Sequence, residues 1–204
     1  MRYGLTLVTA PTGEPVGVDE VKKQVELPQS DINHDVQLGG MIKAARILLE
    51  NETNRALYTQ TWDLYLDNLP FTEDEDEILL PKAPLQSISS FNYTDGDGAA
   101  QVWAASNYVV STSREPGRIT RAYGISWPTA RYTADSIRIR FVCGYGGTKE
   151  TVNELARECI LMMVADWFLG RAGEGEITPW VKRMLTSLNY GDEFASYAPM
   201  AVEA

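Results

Sequence analysis

Eleven consecutive residues, Cys159 to Leu169, carry a single polar side chain, Asp166. They lie inside VNELARECILMMVADWFLGR, which predicts a helix over 152–171. A helix that is apolar all round must be covered on every side. This one is too short to cross a bilayer, which takes about 20 apolar residues. The sequence therefore calls for a central core helix with other elements packed around it. Just before it, Ile137, Ile139, Phe141 and Cys143 alternate with Arg138, Arg140 and Val142, the period of a strand.

The rest of the chain falls into place around that pair. Residues 1–16 are rich in Gly, Pro and Thr and read as extended. Val18, Val21 and Val25 share one face of a short helix over 18–27 that Pro28 ends. A stronger helix over 35–54 carries the stripe Leu38, Met41, Ile42, Ala45, Leu48 and Leu49, with Lys43, Arg46 and Glu50 on its other side. The period then drops to two. Short strands are predicted around Trp62–Leu66, Ile78–Pro81, Ser87–Tyr93, Tyr108–Thr112, Arg118–Arg121 and Ile137–Cys143. Asp95-Gly96-Asp97-Gly98 and Glu115-Pro116-Gly117 supply turns between them. Thr178-Pro179 starts a last helix over 179–188, with Thr as N-cap and Pro at N1. The expected fold class is α+β. Residues 1–58 and 146–188 form a helical base, 59–145 an inserted antiparallel β unit, and 189–204 a flexible arm.

Composition removes several functions. The net charge of −10 is unsuited to a protein that coats nucleic acid, since phosphate binding needs clustered cations. The N-terminus is too polar for a secretory signal, and two Cys in apolar runs suit a reducing compartment. The one histidine, His34, lies in a polar loop, with no Ser or Cys in a recognisable nucleophile motif. Cys143 and Cys159 read as core residues, so no zinc site is expected. Gly144-Tyr145-Gly146-Gly147 follows a strand, but Lys149 stands where a dinucleotide loop needs Gly, which leaves a strand-to-helix turn. Asp166 is read as one half of a structural pair with an Arg. The chain is expected to be no enzyme and to hold no cofactor or metal.

Two charge features remain. Glu73, Asp74, Glu75, Asp76 and Glu77 are five acids in a row, a solvated loop or one side of an electrostatic contact. Residues 114–140 hold Arg114, Arg118, Arg121, Arg131, Arg138 and Arg140 and no Lys. Arg138 and Arg140 share a strand face opposite the apolar one. Separate acidic and Arg-rich surfaces suit a head-to-tail contact that closes into a ring. The expected subunit contact joins Arg138 and Arg140 to Glu73–Glu77 of a neighbour. Pairing with acids of the same subunit is the alternative.

The order of motifs carries a resemblance. Pro15-Val16-x-Val18-Asp19-Glu20-x-Lys22 is followed by an Ala44-Ala45-Arg46 helix and Glu52-Thr53-Asn54-Arg55-Ala56-Leu57. Next come Thr59-Gln60-Thr61-Trp62-Asp63-Leu64, Leu80-Pro81-Lys82-Ala83-Pro84-Leu85, and Phe91-Asn92-Tyr93-Thr94-Asp95-Gly96. Ile139-Arg140-Phe141-Val142-Cys143-Gly144 and the apolar helix with Trp167 complete the series. Over residues 15–188 this resembles the head–tail connector (adaptor) proteins of tailed phages, in the branch with a β insertion between helices. The chain departs from that pattern at Thr148–Asn153, where a Pro is common, and at Asp166, where a His is usual.

The resemblance implies a structural, non-enzymatic subunit of the virion, assembled in the host bacterial cytoplasm. It implies a dodecameric ring below the portal that extends the DNA channel and carries tail attachment. Implied partners are further copies, the portal protein, a tail-side connector or tail-completion protein, and double-stranded DNA passing without sequence-specific binding. No membrane is involved. In that setting Tyr190, Phe194, Tyr197 and Met200 are apolar anchors of an arm that docks on the portal. The alternative is a β-rich tail recognition module for a receptor or glycan, with Trp103 and Trp127 on exposed loop tips. A hydrolase using the acidic run with a metal is a third reading.

Overall fold

The computed structural model describes residues 3–69, 77–170, 173 and 176–188. The chain is α+β, and its described residues form four helices and two small antiparallel sheets. It divides into two compact units. Of the described residues, one comprises 11–59 and 145–188, and the other comprises 3–10 and 60–144. Among the described residues no helix is long and apolar enough to cross a membrane.

The first unit holds α1 (Val18–Gln24), α2 (Asp35–Thr53), α3 (Glu154–Phe168) and α4 (Pro179–Thr186). The apolar run becomes α3, which packs on α1, α2 and α4. Its ends are tighter than periodicity predicts. The Asn153 side chain accepts the Leu155 amide at 2.9 Å and opens the helix. Gly170, at φ 67°, turns the chain out of it. Ala156, Cys159, Ile160, Met163, Val164 and Trp167 are buried. Cover on every side is not reached, however. Leu161, Met162 and Phe168 are half-buried and Leu169 is exposed, because three neighbouring helices leave one flank open.

Two expectations change in this unit. Arg46 and Glu50 do not face solvent. Arg46 is 4 % exposed, with Glu14 Oε2 and Glu50 Oε2 each 2.7 Å from its guanidinium. Glu50 also accepts the Leu57 amide at 2.8 Å, which fixes the chain after the left-handed cap Asn54. Thr178 is the N-cap of α4, but its side chain makes no capping bond. It donates to Asp166 Oδ2 at 3.3 Å instead.

The second unit is a β structure with two sheets. The first runs β1 (Tyr3–Thr9), β2 (Gln60–Leu66), β8 (Ile137–Cys143), β4 (Leu85–Thr94), β5 (Ala100–Val102). The second runs β3 (Glu77–Leu80), β7 (Gly117–Arg121), β6 (Tyr108–Ser111). All pairings are antiparallel. Phe91 of the first sheet meets Tyr108 of the second, with ring centroids 5.9 Å apart. At the other end of β4, a Cβ on Gly117 would lie 2.4 Å from Leu85 Cβ, so the close approach there requires glycine. β1 is a strand at the sheet edge, not merely extended chain. It hid from periodicity because most of its residues are exposed on both faces.

Candidate assembly surface

The pairing register sets the outer face of the first sheet. Asp63, Arg140 and Ser90 lie side by side on β2, β8 and β4, and Tyr65, Arg138 and Asn92 form the next row. Arg140 donates from Nε and Nη2 to the two oxygens of Asp63, each at 2.8 Å. The fork geometry matches the carboxylate. Hydrogen bonds from Arg140, against some desolvation, hold the Asp63 carboxyl below its usual range, and those same bonds with the Asp63 charge raise Arg140. Asp63 is buried, whereas Arg140 remains partly open and Arg138 is exposed. The face is thus basic mainly at Arg138, and Arg140 is engaged within its own subunit.

Glu77 opens β3 and pairs with Arg118 of the adjacent β7. Glu73, Asp74, Glu75 and Asp76 lie outside the described residues, as do Tyr190, Phe194, Tyr197 and Met200. Arg140 with Asp63 and Glu77 with Arg118 thus pair inside the subunit, the alternative to a contact between subunits.

Trp103 and Trp127 are not loop-tip aromatics. Trp103 is 5 % exposed and packs on Phe91, Tyr108 and Trp127, and the Trp103 and Trp127 centroids are 5.0 Å apart. They anchor the core between β4, β6 and the long loop after β7. That loop instead presents Tyr123 and Tyr132 fully to solvent. A Trp in a turn-rich stretch reads as exposed in sequence; the contact that buries it comes from distant strands.

The residues weighed for chemistry are held structurally. His34 Nδ1 lies 2.8 Å from Asp31 Oδ2 in the turn before α2, and its ring meets Phe168 edge-on at 5.4 Å. The Asn33 amide, with His34, keeps Asp31 below the usual carboxylate range. Cys143 and Cys159 are both buried free thiols, and burial, with Glu158 adding, pushes Cys159 up to about 11. Asp166 is buried, and Thr178 donates to its Oδ2 at 3.3 Å. The Gly144–Gly147 turn is a packed corner: a Cβ on Gly146 would lie 2.4 Å from Thr151 Oγ1. Beside it, Arg55 bonds the Tyr145 hydroxyl and donates to the Leu188 carbonyl at 2.7 Å. Among the described residues no three His, Cys, Asp or Glu side chains are grouped to hold a metal.

No protein family matches the chain, and a comparison with characterised proteins finds no match either. Solved structures do share the fold. A chain in the "neck of empty GTA particle computed with C6 symmetry" is similar at 21 % identity and a TM-score of 0.75, covering 91 % of this chain and 95 % of that one. One in the "virion of native gene transfer agent (GTA) particle" is 20 % identical, at a TM-score of 0.73 over 91 % and 94 %. One in the "neck of native GTA particle computed with C12 symmetry" is 21 % identical, at 0.72 over 91 % and 94 %.

Proposed function

We propose that this chain is a structural subunit of the neck of a phage-like particle, a ring-forming head–tail connector below the portal. The likeness that carries the reading extends over nearly the whole of both chains, so it involves the complete arrangement of helices and sheets and not one common motif. Symmetry of C6 and C12 in the neck structures supports a closed ring. In such a ring the chain extends the DNA channel and carries tail attachment. The acidic balance suits DNA that slides past without sticking.

Within this reading Arg138, exposed on the outer sheet face, meets the acidic run Glu73–Glu77 of an adjacent subunit. Arg140 contributes by holding Asp63. The segment with Tyr190, Phe194, Tyr197 and Met200 docks on the portal.

Electron micrographs of the purified protein mixed with portal protein from the same particle test this. A ring stacked on the portal is the expected image. Protein lacking residues 190–204 should stay folded and fail to attach. Absence of any portal complex from the full chain would reject the connector reading.

A further inference from the structure

The first sheet has one unguarded edge. β1 pairs with β2 along one side, and among the described residues no strand pairs with its other side. The amide and carbonyl groups along such a side are a template for a further strand. Natural sheets blunt that template with charge, proline or a very short edge. β1 has none of these. Its seven residues, Tyr3-Gly4-Leu5-Thr6-Leu7-Val8-Thr9, hold no charged side chain and no Pro. A register shift between Leu7 and Thr9 falls only at its end. The edges of the second sheet differ. β3 and β6 are four residues long, and β3 opens on Glu77, paired with Arg118.

The side chains of β1 point the same way. The register places Tyr3, Leu5 and Leu7 beside Leu66, Leu64 and Trp62, on the apolar inner face of the sheet. Leu64 and Leu66 are buried, whereas Leu7 is 42 % exposed. The apolar row thus runs out to the edge and loses its cover there.

The opposite edge of the same sheet is β5. Ala100, Gln101 and Val102 are all exposed, Val102 to 72 %, and none is charged. Strand direction links the two edges. The order β1-β2-β8-β4-β5 is antiparallel at every step, so β1 and β5 run the same way. Rotation about an axis lying along the strands preserves that direction. It sets β5 of one copy beside β1 of the next as a parallel pair, and each copy keeps a further edge to offer, as a repeating head-to-tail contact requires. Pairing β1 with β1 across a two-fold axis would consume the long edge and end the array at two copies.

We propose that β1 of one copy of this chain pairs in parallel with β5 of a second copy, so that the five-stranded sheet continues from subunit to subunit. The contact rests on the ring reading above and gives that ring a seam made of backbone hydrogen bonds.

The full chain tests it. Thr6 and Val102 are exposed and both stand on the outer face, in register with Asp63 and Asn92. Sedimentation over a concentration series gives higher oligomers for the wild type. Thr6→Lys and Val102→Lys each keep the circular dichroism of the wild type and associate roughly tenfold more weakly or worse, because an edge lysine obstructs strand addition. The double variant Thr6→Lys, Val102→Glu regains association, since opposite charges then meet across the seam, and Thr6→Lys, Val102→Lys does not. Oxidised Thr6→Cys, Val102→Cys protein forms a ladder of cross-linked species, and neither single variant does. The buried native thiols stay out of the reaction.

An associating wild type whose two lysine variants associate equally well overturns the proposal and leaves the ring reading standing. A dimer cross-linked through Thr6→Cys alone assigns β1 to a two-fold contact and overturns the proposal too. A wild type that stays monomeric at every soluble concentration, alone and with portal protein, removes the ring reading as well.

Discussion

The helical unit and the β unit treat charge in opposite ways. The helical unit takes Arg46 into its interior and surrounds it with Glu14 and Glu50. The β unit keeps its matching fork, Arg140 on Asp63, on the outer sheet face, and fills its interior with Phe91, Trp103, Ile119, Ile139 and Phe141. Arg46 is shared between two carboxylates and Arg140 is forked on one, and their surroundings differ as well. Burial alone lowers the proton affinity of Arg46, and the hydrogen bonds and charges of Glu14 and Glu50 outweigh it, so the guanidinium stays charged. Such a group depends on its partners, because water cannot replace them. At the outer face, water takes up part of any loss on the Arg140 side. The buried ion ties the segment before α1 to α2 and sets where α2 ends, which an apolar side chain would not do.

Glu50→Ala should break the contrast most forcefully. It takes from Arg46 one of its two carboxylates, leaving Glu14, and also frees the buried Leu57 amide, and the expected loss is about 3–5 kcal/mol in urea unfolding. A loss no larger than that of an ordinary surface substitution would mean that the interior ion is dispensable. Phe91→Leu sharpens the other side. Trimming the aromatic cluster should cost roughly 1–3 kcal/mol, with no dependence on salt.

The smallest effect belongs to Asp63→Asn. The folded carboxyl of Asp63 is held below its ordinary value, so its stabilisation is complete above about pH 3.9 and fades as pH falls through the lower folded value. The wild type should therefore lose stability more steeply in acid than the variant, with the two curves converging at the lowest pH. Parallel acid limbs in thermal melts would show that the outer pair contributes nothing by charge.

Much of the fold was legible in sequence because amphipathic periodicity reports local burial. The stripe of α2, the Thr178-Pro179 start of α4 and the alternation of β8 all match the structure. What escaped was set by distant residues. Arg46 looks outward on a helical wheel, and only Glu14, in the segment before α1, explains why it is buried. Trp103 is hidden by Tyr108 and Trp127, which come from other loops and strands. The Asp63–Arg140 pair depends on the β2–β8 register, which no local pattern encodes. Arg138 and Arg140 were correctly placed on one outward face, but their unequal engagement needed the neighbouring strand.

The order of strands and helices also bears on how the chain is made. β1 is made well before its partner β2, which starts at Gln60. β2 in turn needs β8, which ends at Cys143. α2 is no better placed, since α3 begins at Glu154. Both units thus wait on sequence made long after their first elements, and neither can close its core before β8 or α3 has emerged. Folding of both rests on non-local pairing, with the slow kinetics that go with it. An edge strand that waits so long before it is paired makes the nascent chain a natural client for whatever shields unpaired strands.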